Sequence, residues 1–210
     1  EGHLDAVFLG AGARTVGEEP KCDIQILYEP ANDRCAYEGA TDSRDYLYVS
    51  SLENLQSKIT VYRFDDATNA FILEGAHEAE NCQTFSVGGA EPNSTNALFA
   101  SSSGFLNPST YLYSEVGGLK GIKNAQSLKS SSSWFDSEGM SVTLNEATSK
   151  DGTKVPYFLV RAKGNDENSG PKPTVLNGYG GFRINSLPSY SGSTGKAFLN
   201  HGMNFALACI

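Results

Sequence analysis

Short apolar and aromatic runs recur along the first 130 or so residues, separated by clusters of turn-forming residues. The alternation is clearest in YLYVSSL (residues 46–52) and ITVYRF (residues 59–64), where alternate side chains are apolar and β-branched or aromatic types abound. On this pattern we expect strands over residues 23–28, 46–52, 58–64, 70–74, 83–87, 97–102 and 110–115. Between them lie polar punctuators: Asp65-Asp66-Ala67-Thr68-Asn69, Gly88-Gly89-Ala90-Glu91-Pro92-Asn93, Gly117-Gly118 and the serines at 130–133. Short strands at near-regular intervals, with almost no helical periodicity, predict an antiparallel all-β region: a sandwich, a barrel or propeller blades. The pattern alone leaves these three open, and no strict internal repeat singles out a propeller.

After Trp134 the pattern changes. MSVTLNEAT and VPYFLVRA predict two strands around Ser149-Lys150-Asp151-Gly152-Thr153, whose Asp-Gly pair is a strong hairpin-turn signal. A polar stretch over residues 164–170 leads through Pro171-Lys172-Pro173 into the apolar strand TVLN, which runs straight into Gly178-Tyr179-Gly180-Gly181. Residues 193–200 carry a weak helical pattern, and NFALACI (residues 204–210) is a continuous apolar run suited to a strand buried on both faces. The order strand, strand, strand, glycine loop, helix, buried strand predicts an α/β layer arrangement, with a boundary between the two architectures over residues 130–139.

Composition narrows the function classes. The net charge is −8 with Lys and Arg scattered, so the basic footprint of a nucleic-acid binder is missing and anionic membranes are poor partners. No apolar run approaches the roughly 20 residues that span a bilayer. Cys22, Cys35, Cys82 and Cys209 show no CxxC or Cys/His ligand spacing, so we expect buried free thiols, and no metal site. The three histidines, His3, His77 and His201, are isolated and predict surface or capping roles; His201, between Asn200 and Gly202, reads as a helix end. Gly192-Ser193-Thr194-Gly195-Lys196 suggests a phosphate loop, but no glycine lies five positions before Gly195 and Ala197 follows the lysine. GAGARTVG (residues 10–17) has Thr15 at the third glycine position of GxGxxG and is expected to be a loop.

Several of these segments resemble one family. SKDGTKVPYF (residues 149–158) is similar to the hairpin that opens the α/β-hydrolase domain of the prolyl oligopeptidase family of serine peptidases. Gly178-Tyr179-Gly180-Gly181-Phe182 resembles that family's loop after the third strand, and Pro188-Ser189-Tyr190-Ser191 fits the same pattern. Upstream, SGFLNPSTYLYSEV (residues 103–116) is similar to the last propeller blade before the catalytic domain. Family members often carry an aromatic or aliphatic residue where Asn177 stands.

The resemblance implies a fold of two parts: C-terminal blades of a seven-bladed β-propeller over residues 1–135, then the N-terminal strands of an α/β-hydrolase domain over residues 136–210. It implies cleavage of short peptides after proline, with Tyr179 donating its phenolic hydroxyl to the oxyanion and Phe182 lining the pocket for the proline. Family members that cut after basic residues typically carry Ser-Tyr where Gly181-Phe182 stands, which favours the prolyl branch. The enzyme so implied is monomeric and cytoplasmic, takes short proline-containing peptides as partners, and needs no cofactor or metal. No Gly-x-Ser-x-Gly elbow occurs in the sequence, and in this fold the acid and the histidine follow the elbow. The 210 residues are therefore expected to stop before the triad and to be inactive alone. Taken by itself, Gly-Tyr-Gly-Gly is most often a tight turn and Phe182 a core residue. The competing readings are a non-catalytic β-rich binding module that shares only the fold, and an oligopeptidase of the same family with non-prolyl specificity.

Overall fold

The computed structural model describes residues 8–11, 23–80, 82–181 and 185–210. Its strands are β1 (Phe8–Ala11), β2 (Asp23–Ile26), β3 (Cys35–Asp42), β4 (Tyr46–Glu53), β5 (Gln56–Asp65), β6 (Ala70–Glu78) and β7 (Gln83–Gly89). They continue with β8 (Leu98–Gly104), β9 (Thr110–Ser114), β10 (Gln126–Ser130), β11 (Ser141–Thr148), β12 (Lys154–Arg161), β13 (Thr174–Gly178) and β14 (Asn204–Ala208). Two short helices, α1 (Gly118–Lys123) and α2 (Gly192–Ala197), and a 3-10 turn (Leu199–His201) complete the described elements. No helix among the described residues is long and apolar enough to cross a membrane. The chain divides into two compact units, one of Glu1–Glu78, Phe85–Ser101 and Leu112–Leu128, the other of Ala79–Thr84, Ser102–Tyr111 and Lys129–Ile210.

In the first unit, β3, β4, β5 and β6 form an antiparallel meander in that order. The two-residue period of a strand explains its burial. Leu47 and Val49 of β4 join Leu27 and Tyr28 in one apolar cluster, while Tyr48 between them joins Ile59, Val61, Leu98, Ala100 and Ile122 in another. Tyr48 is fully buried, and its hydroxyl accepts a hydrogen bond from the Gly118 backbone at 2.9 Å. Unsatisfied, that hydroxyl would cost about 1–3 kcal/mol. The edge of β6 is met by a side chain: the Gln25 amide donates to the Phe71 carbonyl at 2.7 Å and accepts from the Phe71 N–H at 2.8 Å. A second four-stranded sheet has the order β10-β9-β8-β7.

The second unit contains a mixed sheet of order β11-β12-β14-β13. β11 and β12 pair antiparallel from Ser141 opposite Arg161 to Thr148 opposite Lys154. Their turn is the one the Asp-Gly pair predicts: Gly152 has φ 90° and the Ser149 N–H donates to the Thr153 carbonyl at 2.8 Å. β14 lies inside the sheet, antiparallel to β12 and parallel to β13. A parallel pair cannot be joined by a tight turn. Here α2 and the 3-10 turn make the crossover, which gives the expected α/β order of strand, glycine loop, helix and interior strand. One face of this sheet carries the fully buried Phe158 and Val160. Phe105 packs on it, with ring centroids 5.5 Å from Phe158 and 6.2 Å from Phe205.

Every strand expected from the pattern is present with shifted ends, and three more strands and a helix were not expected. β3 escapes the pattern because Gly39, at φ 153°, sits at a register shift that interrupts the alternation. All five residues of β10 are exposed, so it has no apolar face to betray it. β1 is four residues long and α1 six, too short for a periodic signal. α1 starts at Gly118, which the sequence presents as a turn.

Candidate active site

β13 follows Pro171-Lys172-Pro173 and is tied to β14 from its start: the Asn204 N–H donates to the Pro173 carbonyl at 2.9 Å, and pairing runs from Thr174 opposite Asn204 to Gly178 opposite Ala208. Both strands of the parallel pair therefore end on the same side, and Tyr179 is the first residue past that edge. In open α/β sheets this carboxyl edge is where ligands bind. Tyr179 is 50% exposed, although the residues around it hug the end of β14. A Cβ added at Gly178 would lie 3.3 Å from Ala208 Cβ, and one at Gly180 would lie 3.3 Å from Ile210 Cγ1. At Gly181 an added Cβ would stand 3.2 Å from both Cζ and Oη of Tyr179. The phenol thus folds over the backbone of Gly181, where any side chain would crowd it.

None of Gly178, Gly180 and Gly181 takes a positive φ. Their part is close approach, not left-handed backbone. Phe182 lies outside the described residues, as do His3, Cys22 and most of the glycine-rich residues 10–17.

Asn177 stands directly before the loop, opposite Leu207 in β14. It lines a cavity of about 200 Å3 whose apolar wall includes Phe105, Val160, Leu199, Phe205 and Leu207. The amide joins the hydroxyls of Ser189, Ser191 and Thr194 on the polar side of this cavity, at the position where the resembling family often has an apolar residue. Phe105 is the contact the sequence hides: it lies far from the sheet along the chain, and no local pattern announces that it covers the β12 and β14 face.

The remaining candidates take structural places. His77 is half-buried on β6 with its ring 4.5 Å from Phe85, and burial lowers its pKa. His201 ends the 3-10 turn before Gly202 at φ 76°, as its sequence neighbours predict. Cys35, Cys82 and Cys209 are free thiols, Cys35 buried and the other two half-buried. The Cys209 thiol donates to the Ser186 carbonyl at 3.3 Å, and burial pushes its pKa up to about 11. Held in the thiol form at neutral pH, it is a poor nucleophile. Gly192-Ser193-Thr194-Gly195-Lys196 forms α2, capped by Ser191 Oγ accepting from the Thr194 N–H at 3.2 Å.

No family model matches the sequence. Among curated proteins, the chain is 35% identical over 186 residues to the uncharacterized peptidase y4nA of Sinorhizobium fredii, covering 88% of this chain and 24% of that protein. It is 28% identical over 181 residues to prolyl oligopeptidase A of Galerina marginata, covering 79% and 21%. Among solved structures, the post-proline cleaving enzyme from Rickettsia typhi superposes with a TM-score of 0.71 at 20% identity, covering 89% of this chain and 26% of that one. The chain spans about a quarter of the length of these relatives. Identity spread along nearly nine-tenths of the sequence, joined to a shared fold, makes the chain a member of the prolyl oligopeptidase family of peptidases.

Proposed function

We propose that the chain forms part of a serine peptidase that hydrolyses short peptides after proline, with Tyr179 as an oxyanion-hole donor. The observation that carries this reading is the place of Tyr179: half-exposed, flanked by glycines, and first past the carboxyl edge of a parallel strand pair. Acyl transfer develops negative charge on the former carbonyl oxygen, and a preorganised donor aimed at that point lowers the barrier by about 2.7–4 kcal/mol. In α/β-hydrolases one donor is the backbone N–H after the nucleophile, and another comes from the loop after the third strand. Tyr179 occupies such a loop and offers a phenolic O–H. Phe182 lines the proline pocket in this reading, since a proline ring offers a flat apolar face and no N–H.

The nucleophile, acid and base lie outside these 210 residues in this proposal, with residues 136–210 the opening of the hydrolase domain. Residues 1–135 belong to propeller blades that restrict access by long chains. The two four-stranded sheets, β3 to β6 and β7 to β10, support that part, because propeller blades are four-stranded sheets. We place the enzyme in the cytoplasm as a monomer.

The test is steady-state hydrolysis of reporter peptides by the whole protein, with proline or arginine before the scissile bond. We expect kcat/KM at least a hundredfold higher for proline, and no turnover of either by the 210 residues alone. A preference for arginine overturns the prolyl assignment, and turnover by the 210 residues alone overturns the placement of the triad.

A further inference from the structure

The glycines of α2, which the sequence offers as a failed phosphate loop, have an occupant. A Cβ added at Gly192 would lie 2.7 Å from Cγ and Cδ1 of Trp134, and one at Gly195 would lie 1.9 Å from Cδ1 of Phe135. Two consecutive aromatic residues therefore sit directly on the backbone of the helix. The other face of Phe135 is covered by Tyr190, its ring centroid 5.3 Å away and the planes 5° from parallel. Phe135 is buried, and Lys196 Nζ stands 5.5 Å from the Trp134 ring.

Hydrogen bonds close the arrangement. The Trp134 N–H donates to the Tyr190 hydroxyl at 2.7 Å, and the Tyr190 N–H donates to Ser103 Oγ at 3.2 Å. Thr84 Oγ1 donates to the carbonyl of Pro188, a fully buried residue, at 3.3 Å. Residues 188–195 are thus held by a ring stack, two glycine seats and three hydrogen bonds. They are also where the chain arrives after the Tyr179 loop. The loop's upstream end is fixed by the pairing of Gly178 with Ala208 in β14.

We infer that Tyr190, clasped by Trp134 and Phe135, is a positioning residue that fixes the downstream end of the loop carrying Tyr179. The catalytic consequence rests on the reading of Tyr179 given above; the clasp itself does not. Holding residues 188–191 in one place reduces the conformations open to the chain that joins them to Tyr179, which must present one donor to one point. Displacement of a catalytic group by about 1 Å can cost on the order of a hundredfold in rate. Releasing one end acts on kcat and leaves KM nearly alone, because the donor is engaged only in the transition state.

The test is amide hydrogen exchange, read by mass spectrometry in the whole protein, together with kcat and KM. Tyr190→Ala should speed exchange over residues 178–181 and 185–191 at least tenfold, leave the β11–β12 hairpin unchanged, and lower kcat about tenfold with KM within twofold. Tyr190→Phe keeps the ring stack and loses only the acceptor of the Trp134 N–H, so it should speed exchange over the same residues two- to threefold. Unchanged exchange in Tyr190→Ala overturns the clasp. If Tyr190→Ala also loosens the hairpin, Tyr190→Phe decides, and unchanged exchange there overturns it. Faster exchange with unchanged kcat overturns the positioning role. In that case an impaired Tyr179→Phe enzyme leaves the oxyanion reading standing, and an unimpaired one locates the failure in that reading.

Discussion

Two glycine-bearing segments of the second unit, residues 178–181 and residues 192–195, use the missing side chain differently. In the first, glycines bring backbone against the end of β14, with virtual Cβ contacts of 3.3 Å, and leave Tyr179 half-exposed between them. In the second, the space a Cβ would fill is taken by the rings of Trp134 and Phe135 at 2.7 and 1.9 Å. In the first, Gly181 lets the neighbouring Tyr179 ring fold over its backbone; the second is a seat for side chains arriving from elsewhere. Glycine content says nothing about which use applies. What stands at the Cβ position decides it, so substitutions in the first segment should act on activity and those in the second on stability.

That contrast can be broken most directly at Gly195. Gly195→Ala adds a methyl inside the volume of a buried ring, 1.9 Å from Phe135 Cδ1, and overpacking this severe costs about 3 kcal/mol or more. The gain in helix propensity from replacing glycine offsets about 1 kcal/mol of it. A lower denaturant midpoint is the expected result, and a variant as stable as the parent removes the seat from the account. Cys209 sharpens the other half, because it precedes Ile210, against which Gly180 packs. Its raised pKa, from 9.0 to about 11, reduces the thiolate fraction about a hundredfold near neutral pH. The greater nucleophilicity of a more basic thiolate recovers about tenfold of that. Alkylation should therefore run about tenfold slower than that of an ordinary thiol and climb until about pH 11. The sign for stability follows: a raised folded pKa favours the native state below the ordinary thiol value, and that contribution is lost as pH rises through about 11. Ordinary reactivity at pH 8 would mean that the end of β14 is open. The smallest effect belongs to Gly152, at φ 90° with nothing within 4 Å of a virtual Cβ. Gly152→Ala should cost about 1–2 kcal/mol at most, through backbone strain alone, without altering activity.

The sequence exposes whatever is local. Alternation in YLYVSSL, the Asp-Gly turn and the strand running into Gly178 each carry their own signal, and each element is where the pattern puts it. The helix end at His201 is legible for the same reason, since Gly202 follows it. Elements without an apolar face or an unbroken period, β10 and β3, are not legible. Nor is the clasp, because Trp134 and Gly192 meet only after the chain has folded and neither segment looks unusual alone. At the candidate site, Tyr179 stands just past the end of β13, as the run of TVLN into the glycines implies, and those glycines serve close approach rather than left-handed backbone. Asn177 is conspicuous in the sequence only as a departure, and its place in a cavity wall becomes visible only with Phe105 and Phe205 around it.

The central claim is that the hydroxyl of Tyr179 stabilises developing charge. Tyr179→Phe in the whole protein removes that hydroxyl and little else, and the decisive measurement pairs kcat with the affinity for a peptide aldehyde, whose adduct with the nucleophile carries an oxyanion. We predict that kcat falls about a hundredfold or more, with KM changed much less, and that aldehyde affinity falls by a similar factor. An enzyme whose kcat and aldehyde affinity both survive the substitution contradicts the account.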